Sequence, residues 1–338
     1  MKSKEGDNNQ TINIKSKIYD KDIKVKIYDK TCKFNIQEYG YTKILRLPIE
    51  VKVEDNSFLH IGGPYDPRSA IKGQIFKVDG IPVIPATSFK GALRFQLEHL
   101  FINNLSNFKN NFNVNDDNYL KPCIPTTNLS PAERELVGKY YRQQENNNRY
   151  STCYLEVEDE NIRTSQYGIC PVCYFMGALG LPGFLRFTNF YPLSRDAIIP
   201  QTNIRLDRKT NTAAHGAKVE QEQVKGGVTF NGHIDIILEN PVSRLQCITF
   251  GMPRVFKKGE NQGRQQSQQP KDIVLDKWLE RWNVQNNDIM IRIKTLIEDI
   301  LIPSIDNIRE LGGHKSRGAG RVITKVSEQW CTDSNKSI

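Results

Sequence analysis

The chain has 338 residues, with 47 Lys+Arg against 38 Asp+Glu, a formal net charge of +9 and 38% hydrophobic residues. That length supports a sizeable apolar core, and the 23 glycines and 16 prolines are near average, which excludes disordered, collagen-like and low-complexity classes. The positive surplus favours a polyanionic partner but does not separate nucleic acid from an acidic membrane surface.

The opening residues, MKSKEGDNNQ, hold no apolar leader. The long uncharged run Tyr167–Leu185 carries Pro171, Pro182 and four glycines, which argues against a bilayer span. Basic residues are not gathered on one amphipathic helix, so a membrane partner is not expected. Seven cysteines without a secretion signal read as a cytoplasmic protein whose thiols are free or on metal.

Residues 1–41 form an N-terminal arm in which KIYDK occurs twice, read either as a flexible or hairpin-like arm or as an arm that pairs with a neighbouring chain. The core domain is expected over 42–329, opening with a strand in TKILRLPIEVKVEDNS. A Gly/Pro-punctuated loop follows, and then a helix capped by Ser88, with Phe89, Ala92, Leu93, Leu97, Leu100 and Phe101 at helical spacing. Lys90 and Arg94 share one face of it, and Gly91 in its first turns implies that another backbone or a ligand passes close. Residues 103–168 contain thirteen asparagines and seven cations against nine acids, so they read as a partly disordered insertion with one short helix around PAERELVGKYY.

The strand GFLRFTNFYPL precedes a polar hairpin-like stretch at 198–225, and the strand TFNGHIDIILEN follows it. Residues 252–272 read as a mobile basic linker. Two helical stretches, around DKWLERW and DIMIRIKTLIEDIL, come next, the second stopped by Pro303. The loop LGGHKSRGAGR leads into a last strand, and residues 330–338 form a tail. Without its insertions this order is α+β, the ferredoxin-like (RRM-like) βαββαβ pattern.

Cys170-Pro171-Val172-Cys173 has the knuckle spacing of a tetrahedral metal site. Cys123 and Cys153 are the expected further ligands, with His99 as the alternative, and four such ligands describe structural Zn²⁺. Cys32, Cys247 and Cys331 have no partner spacing and read as ordinary apolar residues.

Four segments together resemble one family: IPATSFKGALR, CPVCYFMGALG, IRLDRKTNTAAHGAKVEQEQVKGGVTF and LGGHKSRGAGRV. They are similar to the motifs of the RAMP superfamily, specifically the backbone subunits of type III CRISPR effector complexes. The extra segments 1–41 and 103–168 point to a variant of the type III-D kind. The resemblance implies an RNA-binding subunit that holds crRNA by its phosphates for pairing with target RNA, among other RAMP subunits and the large subunit of the complex. Phosphate contacts of this kind need freed backbone amides and cations rather than base readout. The residues it points to are Lys90 and Arg94, the terminal-loop residues Gly312, Gly313, His314, Lys315, Arg317 and Arg321, and Arg205, Arg208 and Lys209 with Lys218 on a thumb-like hairpin at 198–225. An ion pair between Asp207 and Arg208 is a further expectation for the hairpin turn.

Members that cut target RNA use an aspartate in the loop before the I-P-x-S segment. The matching position here falls near Lys72, with Asp66 six residues earlier as the candidate for divalent-metal-assisted cleavage and Asp79 seven later. The alternatives are thus a binding subunit, a target-RNA-cleaving endoribonuclease using Asp66, and a guide-processing endoribonuclease. The histidines His60, His99, His215, His233 and His314 show no paired arrangement in the sequence.

Overall fold

The computed structural model describes residues 22–28, 30–64, 67–69, 71, 73–126, 129–143, 152–158, 161–194, 196–242, 246–256, 272–282 and 288–328. Asp22–Ile27 (β1) and Lys30–Tyr39 (β2) form an antiparallel hairpin, with Ile23, Val25 and Ile27 buried between exposed Lys24 and Lys26. That period of two turns one face of the hairpin into the core. The end of β2 pairs with Thr42–Val53 (β3), so the sheet begins before Thr42. Cys32 on β2 is buried and disulfide-bonded, which corrects its reading as an unpartnered thiol, because pairing between distant residues leaves no spacing signal. The side chains of Cys247 and Cys331 lie outside the described residues.

Lys77–Val78 (β4) and Ile81–Pro82 (β5) make a small hairpin around Asp79 and Gly80, both at positive φ as a tight two-residue turn requires. Helix α1 spans Ala86–Asn103 and buries Phe89, Leu93, Leu97 and Phe101, an i, i+4 stripe whose burial contributes on the order of 10 kcal/mol gross. Its start differs from expectation. Pro85 stands at the N-cap without a side-chain bond, and Asn189 Oδ1 accepts from the Ala86 amide at 2.9 Å, so Ser88 lies inside the first turn.

The asparagine-rich segment carries more structure than one short helix. Leu105–Phe112 (α2) turns Phe108 and Phe112 inward, and the Phe112 ring meets Trp278 and Trp282 edge-on at 4.9 and 4.7 Å. Pro131–Leu136 (α3) opens with a capping box between Ser130 and Glu133. Leu155–Glu158 (β6) and Asn161–Thr164 (β7) form a hairpin, and Pro171–Met176 (α4) is wholly buried.

Leu185–Phe187 (β8), Tyr191–Pro192 (β9), Ile198–Leu206 (β10), Ala213–Val224 (β11), Thr229–Val242 (β12) and Gln246–Thr249 (β13) follow. Val255–Phe256 (β14) pairs with Ile273–Val274 (β15), and most of the expected linker between them, residues 257–271, lies outside the described residues. After Lys277–Glu280 (α5), the helix Ile289–Thr295 (α6) passes through a π turn at Leu296–Leu301 into Ile302–Asp306 (α7). Pro303 therefore does not stop the helix: the widened turn precedes the proline, and the Ser304 hydroxyl donates to the Ile300 carbonyl at 2.7 Å. Val322–Val326 (β16) is the last strand.

One eight-stranded antiparallel sheet organises these pieces into an α+β fold. β12 runs along one edge of β3 from Thr229↔Lys52 to Glu239↔Lys43. The other edge of β3 is shared end to end by β2, at 42–45, and β16, at 49–53. β8, β9 and β13 occupy the far edge of β12. The Phe89 ring of α1 packs 4.5 Å from Phe190 against this sheet, and Gly232 makes room, since a Cβ there would lie 2.6 Å from the Phe190 ring. Among the described residues no helix is long and apolar enough to cross a membrane.

Candidate metal centre and nucleic-acid interface

The knuckle cysteines are placed by their own helix. Cys170 is the N-cap of α4, its sulfur accepting from the Cys173 amide at 3.4 Å, and Pro171 occupies the first turn where no amide is needed. Cys123 and Cys153 arrive from the asparagine-rich segment. The four buried sulfurs lie within 4.8 Å of one another, with Cys123 at 3.4 Å from Cys173 and 3.8 Å from Cys170. A tetrahedral ion with Zn–S of about 2.3 Å separates its sulfurs by about 3.8 Å, so this donor set fits Zn²⁺ or another ion that accepts four thiolates. His99 is exposed on α1, its ring tilted against Phe95 with centroids 4.2 Å apart, and does not join the cluster. Hydrogen bonds from Cys153, Cys170 and Cys173 hold the Cys123 thiol well below its ordinary value, against the effect of burial.

Two arginines enclose the sulfurs. Arg94 of α1 pairs with Glu98 at 2.8 Å and approaches Cys123 at 3.7 Å and Cys173 at 3.8 Å. Burial alone lowers its guanidinium, but the Cys173, Cys123 and Cys170 sulfurs and Glu98 raise it above its ordinary value. Arg142, itself buried, reaches Cys153 at 3.5 Å. Lys90 stands one turn before Arg94 at the mouth of an open cleft of about 660 Å³ that Arg186 and Gly183 also line. Burial, then Arg94 and Arg186, lower its ammonium from its ordinary value. Arg94 lines the same cleft, so both residues expected to act together meet there, and Arg94 also reaches the sulfurs behind it.

The terminal loop folds back on residues 57–61. Gly313 donates to the His60 carbonyl at 2.7 Å, Gly320 to the Phe58 carbonyl at 2.6 Å, and the Ser57 hydroxyl donates to the Gly318 carbonyl at 2.8 Å. Pinned this way, the turn Lys315–Arg317 presents exposed Lys315 and Arg317, with exposed Arg321 beyond. Lys315 is partly neutralised by Glu310 at 3.3 Å. A second cleft, about 620 Å³, separates Gly312 and Lys315 from Gly91 and Phe95 of α1. Among the described residues, no heavy atom beyond Gly91's own stretch of helix lies within 4 Å of a Cβ built there, so no other segment's backbone passes close and the helix glycine opens onto that cleft.

Two histidines far apart in sequence meet beneath the loop. His60 Nδ1–H donates to the Glu222 carbonyl at 2.9 Å, and its ring centroid lies 4.6 Å from that of His314, which adopts φ 59°. The absence of a pair, read from sequence spacing, is thereby corrected, since residues this distant are joined only by the fold. Burial, His60 and Arg317 lower the His314 imidazole from its ordinary value.

β10 and β11 form the expected hairpin, anchored at its base by pairing of Val224 with Leu59 and by Lys77 on Glu222 at 2.9 Å. Its far end exposes Arg205, Arg208 and Lys209 together with Ile204 (54%) and Leu206 (65%). Lys218 pairs with Glu220 at 2.7 Å. The turn is shaped by Asp207 accepting the Lys209 and Thr210 amides at 2.8 and 3.2 Å, in place of the expected Asp207–Arg208 ion pair. Those two amides lower the Asp207 carboxyl from its ordinary value. Asp66 and Lys72 lie outside the described residues.

Sequence reasoning missed three cations that the fold brings in: Arg142, Arg186 and Arg254. Arg254 is fully buried against Asp276, with Nε and Nη2 both 2.7 Å from the carboxylate, and its guanidinium lies 5.2 Å from the ring centroids of Tyr174 and Phe184. It stands inside the stretch read as linker, where nothing local marks it.

None of the curated proteins compared matches this sequence. A chain in the cryo-EM structure of the Type III-B Cmr-beta bound to cognate target RNA is similar at 13% identity with a TM-score of 0.35. The match covers 84% of this chain and 59% of that chain, so the present chain spans well under two thirds of that chain's length. The family model described as RAMP superfamily matches residues 56–323, which take in α1, the cysteine cluster, the β10–β11 hairpin and the glycine-rich loop, and the chain belongs to that superfamily.

Proposed function

We propose that this protein is an RNA-binding backbone subunit of a type III CRISPR effector complex, holding crRNA by its phosphates for pairing with target RNA. The observation that carries the reading is the glycine-rich loop, pinned to residues 57–61 and presenting Lys315 and Arg317 beside the cleft that Gly91 opens. Cations on a rigid loop beside a groove suit a ligand recognised by its backbone. The order β16-β3-β12-β8, antiparallel throughout, supports a ferredoxin-like core. The exposed hairpin tip supports the thumb role, and the sulfur geometry supports structural Zn²⁺. In this reading the chain works in the cytoplasm beside other RAMP subunits and the large subunit of the complex.

The test is guide-RNA binding as a function of salt. Neutralising Lys315 and Arg317 together lowers the magnitude of the log–log salt slope by about 1.4 and weakens binding to unrelated RNA sequences equally. An unchanged slope and affinity overturns the reading.

A further inference from the structure

Arg142 is buried at 7% exposure in a segment whose composition promised little structure. Its guanidinium touches the Gly168 carbonyl at 2.7 Å, the Lys121 carbonyl at 3.3 Å, the Tyr119 carbonyl at 3.4 Å and the Cys153 sulfur at 3.5 Å. No carboxylate is among its partners. A guanidinium keeps its charge in proteins, and burying one uncompensated costs several kcal/mol. Three neutral carbonyls do not supply the missing anion. The sulfur cluster does: four thiolates around a divalent ion carry two surplus negative charges. Arg94 touches the same cluster with Glu98 already at 2.8 Å, so its charge is largely spoken for. Arg142 has no such partner.

We propose that Arg142 is the dedicated counter-charge of a divalent-metal tetrathiolate at Cys123, Cys153, Cys170 and Cys173, and the strut that holds residues 119–121 and 168 around it. The inference rests on the metal-centre reading above and adds a ranking, Arg142 ahead of Arg94, that the centre alone does not imply. Replacing Arg142 with an apolar side chain therefore weakens metal binding.

The experiment measures zinc affinity of the full chain by chelator competition, together with the sulfur-to-metal charge-transfer band of the cobalt-substituted protein. Arg142→Met lowers zinc affinity roughly 10–100-fold, the range for outer-shell partners, and shifts the cobalt band. Arg94→Met has a smaller effect. Arg142→Lys keeps the charge while losing the fork onto the Tyr119 and Lys121 carbonyls, and it retains the wild-type band and most of the affinity. A Met variant with unchanged affinity and band overturns the proposal while leaving the metal centre standing. Should the Met variant fail to fold, a Lys variant with a shifted band and a tenfold or greater loss of affinity overturns it instead. A wild-type chain that binds neither zinc nor cobalt overturns the metal centre and the proposal together.

Discussion

Replacing Gly312 with alanine adds a Cβ 2.3 Å from the His60 carbonyl oxygen at a residue whose φ is 76°. The left-handed backbone alone costs an alanine roughly 1–2 kcal/mol. The clash is with main chain, which has no rotamer to escape into, and that carbonyl also accepts the Gly313 amide at 2.7 Å. Separating the two strands of the loop forfeits that hydrogen bond, worth about 1 kcal/mol net, so the total is roughly 2–3 kcal/mol. Gly318 is the internal control: its φ is 84°, yet nothing lies within 4 Å of an added Cβ. Gly318→Ala therefore incurs only the backbone strain of roughly 1–2 kcal/mol. Urea unfolding of both variants, with guide-RNA binding measured alongside, tests the difference. Gly312→Ala loses more stability and more RNA affinity than Gly318→Ala; equal losses, or the reverse order, refute the claim that the loop is held by residues 57–61.

Asp276→Ala strands the fully buried Arg254 and destabilises by roughly 3–5 kcal/mol in urea unfolding, whereas Asp276→Leu with Arg254→Met recovers most of the loss. Gly91→Ala raises helix stability by roughly 0.5–1 kcal/mol, since the added methyl meets no described atom outside its own stretch of helix, and weakens RNA binding by narrowing the cleft. Stripping metal with a chelator increases amide exchange across residues 119–126 and 152–169 while β3 and β12 keep their protection, because the cysteines tie only the former to the core.

What could be read from the sequence was local. The alternation in β3 and the i, i+4 stripe of α1 repeat within a few residues, and both expectations held; the Cys-x-x-Cys spacing is equally local, and the fold gathers it into a four-cysteine cluster that could hold a metal. Expectations failed where two distant segments share one job. Pro303 breaks a regular helix, and only the π turn that prepares for it lets the chain continue. Phe108 and Phe112 were hidden among asparagines, and their burial depends on Trp278 and Trp282 arriving from far along the chain. His60 and His314 meet only because the loop folds over residues 57–61. Arg94 shares the cleft with Lys90 as its helix face implies, but its pairing with Glu98 and its approach to the sulfurs could not be read from the sequence. Periodicity locates a side chain on a helix face, and the partner that claims it comes from the fold.

The shared edge of β3 carries a consequence for synthesis. Ile49–Val53 is made about 270 residues before its edge partner Val322–Val326. Until β16 emerges, that stretch of β3 offers unpaired amides and carbonyls to any extended strand nearby, and nascent chains side by side can pair through it. Closing that edge awaits synthesis of every residue between the two strands, so the sheet is completed late relative to β3.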